Sequence, residues 1–222
     1  MKLILASSGF NAPESVKKCV EFVGKPASEI NFAVIKEAMA VEFGDHKWFL
    51  DDMDGIRKSF GGNIEFVNLL ALGIKKVEER IGAADVIFVA GGNTDYLMTV
   101  FEKTGFSKTL PKLLKEKVYV GSSAGSCVLG HRPGYKTFAE IYEEDQYTDK
   151  YLDMVDFTVL PHLHSVHFNT RDNDWVIEDS EKEDNLVYAI SDDAAVIVDG
   201  EKTYVAGKDY LIAEKGKLIK EG

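Results

Sequence analysis

Short runs rich in β-branched residues alternate with stretches of helical periodicity through the first half of this 222-residue chain, and that alternation restricts the fold more than any other feature. The apolar runs are KLILA (2–6), INFAVI (30–35), IEFVNL (64–69), DVIFVA (85–90) and KVYVG (117–121). They are continuous rather than alternating, the pattern of strands covered on both faces. Between them lie amphipathic segments. In PESVKKCVEFVG the residues Val16, Val20 and Val23 fall on one helical face, and in GIKKVEERIG so do Ile74, Val77 and Ile81. Strand, helix and strand in this order imply right-handed crossovers in a parallel sheet.

The second half changes character. DFTVL, LVYAI, AAVIVDG and KTYVAG follow one another closely, with turns such as DG-E between them, which reads as hairpins. No repeat, low-complexity tract or linker divides the chain. The expectation is one α/β domain over 1–222: a doubly wound, mostly parallel sheet with β-hairpins at its C-terminal edge.

Composition narrows the function classes. A formal net charge of -11 disfavours nonspecific binding to nucleic acid or to an anionic membrane. No apolar run approaches a membrane span, and MKLILASSGF is too short and polar for a signal peptide. Cys19 and Cys127 lack CxxC spacing and fit reduced thiols in a cytoplasmic protein.

In doubly wound sheets ligands bind beyond the carboxyl ends of the strands. Two strands end there in small-residue turns, DVIFVA-GGNTDYL and KVYV-GSSAGS, which would open on the same edge. Gly121-x-Ser123-x-Gly125 fits G-x-S-x-G, the pattern of a sharp strand-to-helix turn that exposes a serine. A bare packing turn fits the same residues, so the serine needs partners. Ser122 and Ser126 read as turn and helix-face residues, and Cys127, one helical turn beyond Ser123, as a packed thiol.

Of the five histidines, His162, His164 and His167 cluster in DFTVLPHLHSVHFN, while His46 and His131 read as surface residues. His162 follows Pro161 at a strand end and is the candidate base. A glycine amide of GGN with the amide of Ala124 would make a two-donor oxyanion hole, each donor contributing about 3 kcal/mol; alternatively the glycines form only a turn and Asn93 or Thr94 caps the next helix. A metal-dependent hydrolase using His162, His164 and His167 is the rival enzyme reading, and a non-catalytic binding protein the rival outside catalysis.

The blocks ADVIFVAGGNTDYL, KVYVGSSAGS and MVDFTVLPHLHSVHFNTR, in this order and spacing, resemble the peptidase E family: serine peptidases related to cyanophycinase, with a fold like class I glutamine amidotransferases (flavodoxin-like, three layers). The resemblance implies Ser123 as nucleophile, His162 as general base, and Gly92 and Ala124 at the oxyanion-hole positions. It implies an Asp or Glu between serine and histidine as third member; spacing favours Glu140, then Glu143 and Asp145. It further implies a dipeptidase removing N-terminal aspartate, with Arg171 and Asn93 contacting substrate. No cofactor or metal is expected, the partner is a short peptide, and a homodimer is compatible with the sequence. One departure stands out: AVIKEAMAVEFGDHKW occupies the stretch where relatives often carry a Pro-Thr-Ala type segment, so the aspartyl preference rests on less than the serine chemistry does. The order Ser, acid, His also occurs in α/β-hydrolases, but several strands following the histidine argue against that fold.

Overall fold

A computed structural model describes residues 1–132, 148, 150–168 and 171–222. Five strands run parallel: β1 (Lys2–Ala6), β2 (Phe32–Ile35), β3 (Ile64–Phe66), β4 (Val86–Val89) and β5 (Val118–Ser122), in spatial order β3-β2-β4-β5-β1. All lie within or next to the expected apolar runs. Beyond β1 the sheet continues with two antiparallel strands, β8 (Ala194–Asp199) and β9 (Lys202–Gly207).

Side chains alternate across this sheet, so each strand supplies two cores. Ile4, Phe32, Val34, Val86 and Phe88 face one layer, built with Cys19 and Phe22 of α1 (Pro13–Val23) and Phe49 and Ile56 of α2 (Lys47–Ser59). Leu3, Leu5, Ile35, Ile87 and Val89 face the other, which contains α3 (Ile74–Gly82), α4 (Thr94–Thr104) and α5 (Phe106–Leu113). The continuous apolar runs are therefore a consequence of helices on both sides.

Helix α1 starts on Pro13 and stops at Gly24, whose φ of 72° lets its N–H donate a hydrogen bond to the Val20 carbonyl and close the helix. Its buried face centres on Ser15, Cys19 and Phe22, with Val16, Val20 and Val23 half-buried at its border. The large Phe22 ring thus sets the helix rotation, one position away from the valine stripe. In α3, Val77 and Ile81 are buried and Ile74 packs at the margin.

The C-terminal strands divide between two sheets. The hairpin β8–β9 extends the first, whereas β6 (Phe157–Leu160), β7 (Leu186–Ile190), β10 (Tyr210–Glu214) and β11 (Lys217–Glu221) form a second, four-stranded sheet ordered β11-β10-β7-β6. In it β6 and β7 are parallel neighbours. Helix α7 (Asn173–Ser180) covers one face through Trp175 and Val176 against Leu160, Val187, Ala189 and Leu211. Among the described residues no helix is long and apolar enough to cross a membrane.

Candidate active site

Beyond Ser122 the chain leaves β5 in a sharp turn and enters the short helix α6 (Ala124–Cys127). Ser123 sits at the turn with φ 49° and ψ -110°, a conformation that side-chain-bearing residues rarely adopt. The backbone is fixed on both sides: Ser123 N donates to the Ala6 carbonyl at 3.0 Å, and the Ser126 hydroxyl donates to the same carbonyl at 2.7 Å. The flanking glycines are required by close approach. A Cβ on Gly121 would lie 2.5 Å from the Gly125 carbonyl carbon, and one on Gly125 would lie 2.1 Å from the Val89 carbonyl oxygen. The pattern G-x-S-x-G is thus the condition for α6 to pack onto the ends of β4 and β5.

Ser123 Oγ lies 2.9 Å from His162 Nε2, and His162 Nδ1 lies 2.8 Å from Asp192 Oδ1. With Nδ1 protonated toward the carboxylate, Nε2 offers a lone pair to the serine hydroxyl. The approach of His162 and Asp192 follows from register. Leu160 of β6 pairs with Ala189 of β7, the strands are parallel, and His162 and Asp192 each stand two positions beyond the end of their strand. Leu163 N donates to the Ile190 carbonyl at 3.1 Å, carrying the pairing past the strands. His162 itself adopts φ 65°.

Ser7, just beyond β1 and fully buried, ties these groups together. Its hydroxyl donates to Asp192 Oδ1 at 2.6 Å and accepts from His162 N at 2.8 Å, while its Oγ lies 3.2 Å from His162 Nδ1. Burial works against a charge on Asp192. Hydrogen bonding and attraction from His162, with the Ser7 and Ser8 hydroxyls, outweigh it and hold the carboxyl well below the usual carboxylate range.

The acid expected at Glu140, with Glu143 and Asp145 as alternatives, lies outside the described residues. The carboxylate on His162 Nδ1 is instead Asp192, downstream of the histidine. Neither Asp192 nor Ser7 was singled out from the sequence. The signal for both was a polar residue directly after a buried strand, ILA-SSGF and YAI-SDD.

The GGN turn packs against the serine. A Cβ on Gly91 would stand 3.2 Å from Ser123 Cβ and 3.5 Å from the Trp48 ring. Gly92 has φ 124° and sits so close to the Ala38 carbonyl that a Cβ would come within 2.3 Å of its oxygen. Asn93 caps α4: its side chain accepts from Tyr96 N at 2.8 Å, and its own amide donates to the Ala38 carbonyl. Its side chain is buried. Ala124 opens α6, and first-turn amides have no intrahelical acceptor.

A cleft of about 810 Å³ opens over Ser123, His162 and Gly92, with Trp48, Phe168 and Arg171 in its lining. Arg171 is buried, donates from Nη1 to the Pro161 carbonyl, and holds its guanidinium carbon 4.3 Å from the Phe168 ring centroid. Asp52, from α2, also reaches the cleft and hydrogen-bonds Ser122, whose Oγ accepts from Gly9 N at 3.0 Å. Burial pushes the Asp52 carboxyl up to about 7, with Ser122 acting in the opposite sense and Asp51 and Asp192 adding to the rise. Cys127 is buried beside the Val159 carbonyl, and burial pushes its thiol up to about 12, which suits packing and not nucleophilic attack.

The other histidines are occupied elsewhere. His164 places Nδ1 2.8 Å from Asp209 and Nε2 2.9 Å from Asn173, and His131 bridges Asp153 and Asp156. Both ring nitrogens of His162 and of His164 are therefore engaged. Among the described residues no group of three or more His, Cys, Asp or Glu side chains is arranged to hold a metal ion. The three-histidine metal reading has no geometric support.

This arrangement sets a serine hydroxyl against an imidazole lone pair, beside amides at a helix start and a glycine turn, which is what acyl transfer to a serine requires. Comparison with known proteins agrees. Residues 3–206 match the model of peptidase family S51. The chain belongs to that family. It is a serine-type peptidase. An uncharacterized peptidase of Listeria monocytogenes is 26% identical over 148 residues, 65% of this chain and 71% of that protein. Peptidase E of Streptomyces coelicolor is 25% identical over 149 residues, 64% of this chain and 60% of its own length. Among solved structures, a peptidase from an acI-B1 Actinobacterium aligns with a TM-score of 0.72 at 17% identity, covering 100% of this chain and 94% of that one. A Listeria monocytogenes protein provisionally assigned to peptidase E aligns at 0.75 with 22% identity over 93% of this chain and 98% of its own. The S51 family member thus has the peptidase E fold.

Proposed function

We propose that this S51 peptidase is an exopeptidase that releases N-terminal aspartate from short peptides, dipeptides above all, through an acyl-enzyme on Ser123. The observation that carries the chemistry is the continuous chain Asp192–His162–Ser123, with spacings of 2.8 and 2.9 Å, ending on a serine held in a strained turn.

His162 takes the proton of Ser123 as its oxygen attacks the scissile carbonyl. Asp192 keeps Nδ1 protonated and balances the imidazolium that forms. The amides of Gly92 and Ala124 receive the oxyanion, His162 returns the proton to the leaving amine, and water activated by the same imidazole releases the acyl group. No step in this cycle calls for a cofactor.

The substrate reading rests on charge and size. A chain of net charge -11 that accepts an aspartyl side chain needs a cation in its cleft, and Arg171 lines it. A cleft of about 810 Å³ suits a short peptide. Asp-Leu, Glu-Leu, Asn-Leu and Ala-Leu hydrolysed by the wild type, Ser123→Ala and Arg171→Ala provide the test. The expectation is turnover confined to Asp-Leu, abolished in Ser123→Ala, with KM for Asp-Leu raised in Arg171→Ala far more than any residual rate on Asn-Leu is reduced. Turnover surviving in Ser123→Ala would overturn the mechanism, and equal losses on both peptides would remove Arg171 from substrate recognition.

A further inference from the structure

The His162 imidazole is held at both nitrogens, by hydrogen bonds that imidazole nitrogens direct within the plane of the ring and that together leave an axis running from Ser123 to Asp192. In-plane hydrogen bonds of this kind do little to resist tilting of the ring about that axis. Resistance to tilting has to come from something flat against the face. Phe168 supplies it: the two ring centroids are 4.7 Å apart and the planes differ by 9°.

The chain brings Phe168 there by a series of tight turns. Ser165 N donates to the His162 carbonyl, Phe168 N to the Ser165 carbonyl and Arg171 N to the Phe168 carbonyl, at 3.2, 3.0 and 3.0 Å. His164 N then donates to the Arg171 carbonyl at 3.0 Å and closes the loop on itself. Arg171 supports the assembly twice, with its guanidinium against the Phe168 ring and Nη1 on the carbonyl of Pro161, the residue joined to His162. An aromatic face also favours the imidazolium, the charged form that appears only once the serine proton has moved.

We propose that Phe168 is a positioning residue, whose ring fixes the plane in which His162 meets Asp192 and Ser123 together. The proposal rests on the reading of His162 as general base, but its structural half can be tested without turnover. Phe168→Ala, Phe168→Leu and Phe168→Tyr would be compared with wild type, thermal unfolding establishing that each is folded. In the wild type and Phe168→Tyr, proton NMR should show a downfield resonance for the His162 Nδ1 proton facing Asp192, absent from Asp192→Asn. Phe168→Ala and Phe168→Leu should broaden or lose it. On Asp-Leu these two variants should lose about 3- to 10-fold in kcat, the range to which an aromatic pair corresponds, with KM within about twofold and with recovery in Phe168→Tyr. A sharp resonance and wild-type kcat in Phe168→Leu would overturn the proposal, as would a Phe168→Tyr variant impaired like Phe168→Ala. Should the wild type hydrolyse no dipeptide, the substrate reading fails while the resonance still decides the role of Phe168.

Discussion

Asp52 makes the pH dependence of stability a direct test of the burial described above. Its carboxyl is 8% exposed, bonded to Ser122 and raised from 3.8 to about 7. A carboxyl whose pKa is higher in the folded state binds its proton more tightly there. The associated stability is complete below pH 3.8 and is lost as pH rises through 7. Integrating the linkage relation from these two values gives a loss of roughly 2 kcal/mol at pH 5 and roughly 4 kcal/mol at pH 8. Asp52→Asn keeps the shape and an acceptor for Ser122 but cannot ionise. Urea denaturation of both proteins at pH 5 and pH 8 isolates the effect, because groups that do not interact with Asp52 cancel in the difference and its neighbours Asp51 and Asp192 are both carboxylates, a class that titrates chiefly below this range. The variant should gain about 2–3 kcal/mol on the wild type between the two pH values. A gap that stays constant, or that moves in favour of the wild type at pH 8, would refute the buried and largely neutral Asp52.

Other expectations follow from single contacts. Asp192→Asn should lower kcat by about 10³- to 10⁴-fold, since an amide cannot hold Nδ1 protonated against an imidazolium, and a loss under tenfold would exclude Asp192 as the orienting group. Gly125→Ala drives a methyl to 2.1 Å from the Val89 carbonyl oxygen, and neither backbone can yield cheaply. It should cost about 3 kcal/mol, seen as a Tm lowered by about 10 °C, and activity should fall with it. Cys19 and Cys127, both buried with thiols pushed up to about 12, should resist iodoacetamide at pH 8 in the native protein and react after unfolding, as mass spectrometry would record. Alkylation of Cys127 in the folded enzyme would contradict its packing behind Ser123.

The fold was legible because buried strands and amphipathic helices leave different periods in the sequence, and Ser123 because its glycines are dictated by local backbone contact. His162 could be read for the same reason: it follows a strand end directly. Asp192 and Ser7 could not be reached this way. What brings them to His162 is the pairing of β6 with β7 and of β1 with β8, long-range facts that no local pattern records. The family resemblance places the acid between residues 123 and 162, whereas the carboxylate on His162 Nδ1 stands thirty residues beyond the histidine. Asn93 illustrates the opposite case, in which the local reading as a helix cap is the one the structure adopts.

The pairing of β6 with β7 has a consequence for how such a protein can diverge. His162 and Asp192 keep their separation through main-chain hydrogen bonds between two neighbouring strands, with Phe168 and Arg171 packed locally around the imidazole. Within the segment that links them in sequence, helix α7, which lies beyond Arg171, can be lengthened, shortened or recomposed while both groups remain in place. The spacing of His162 and Asp192 is then independent of the surface that helix α7 presents, and that surface is free to vary.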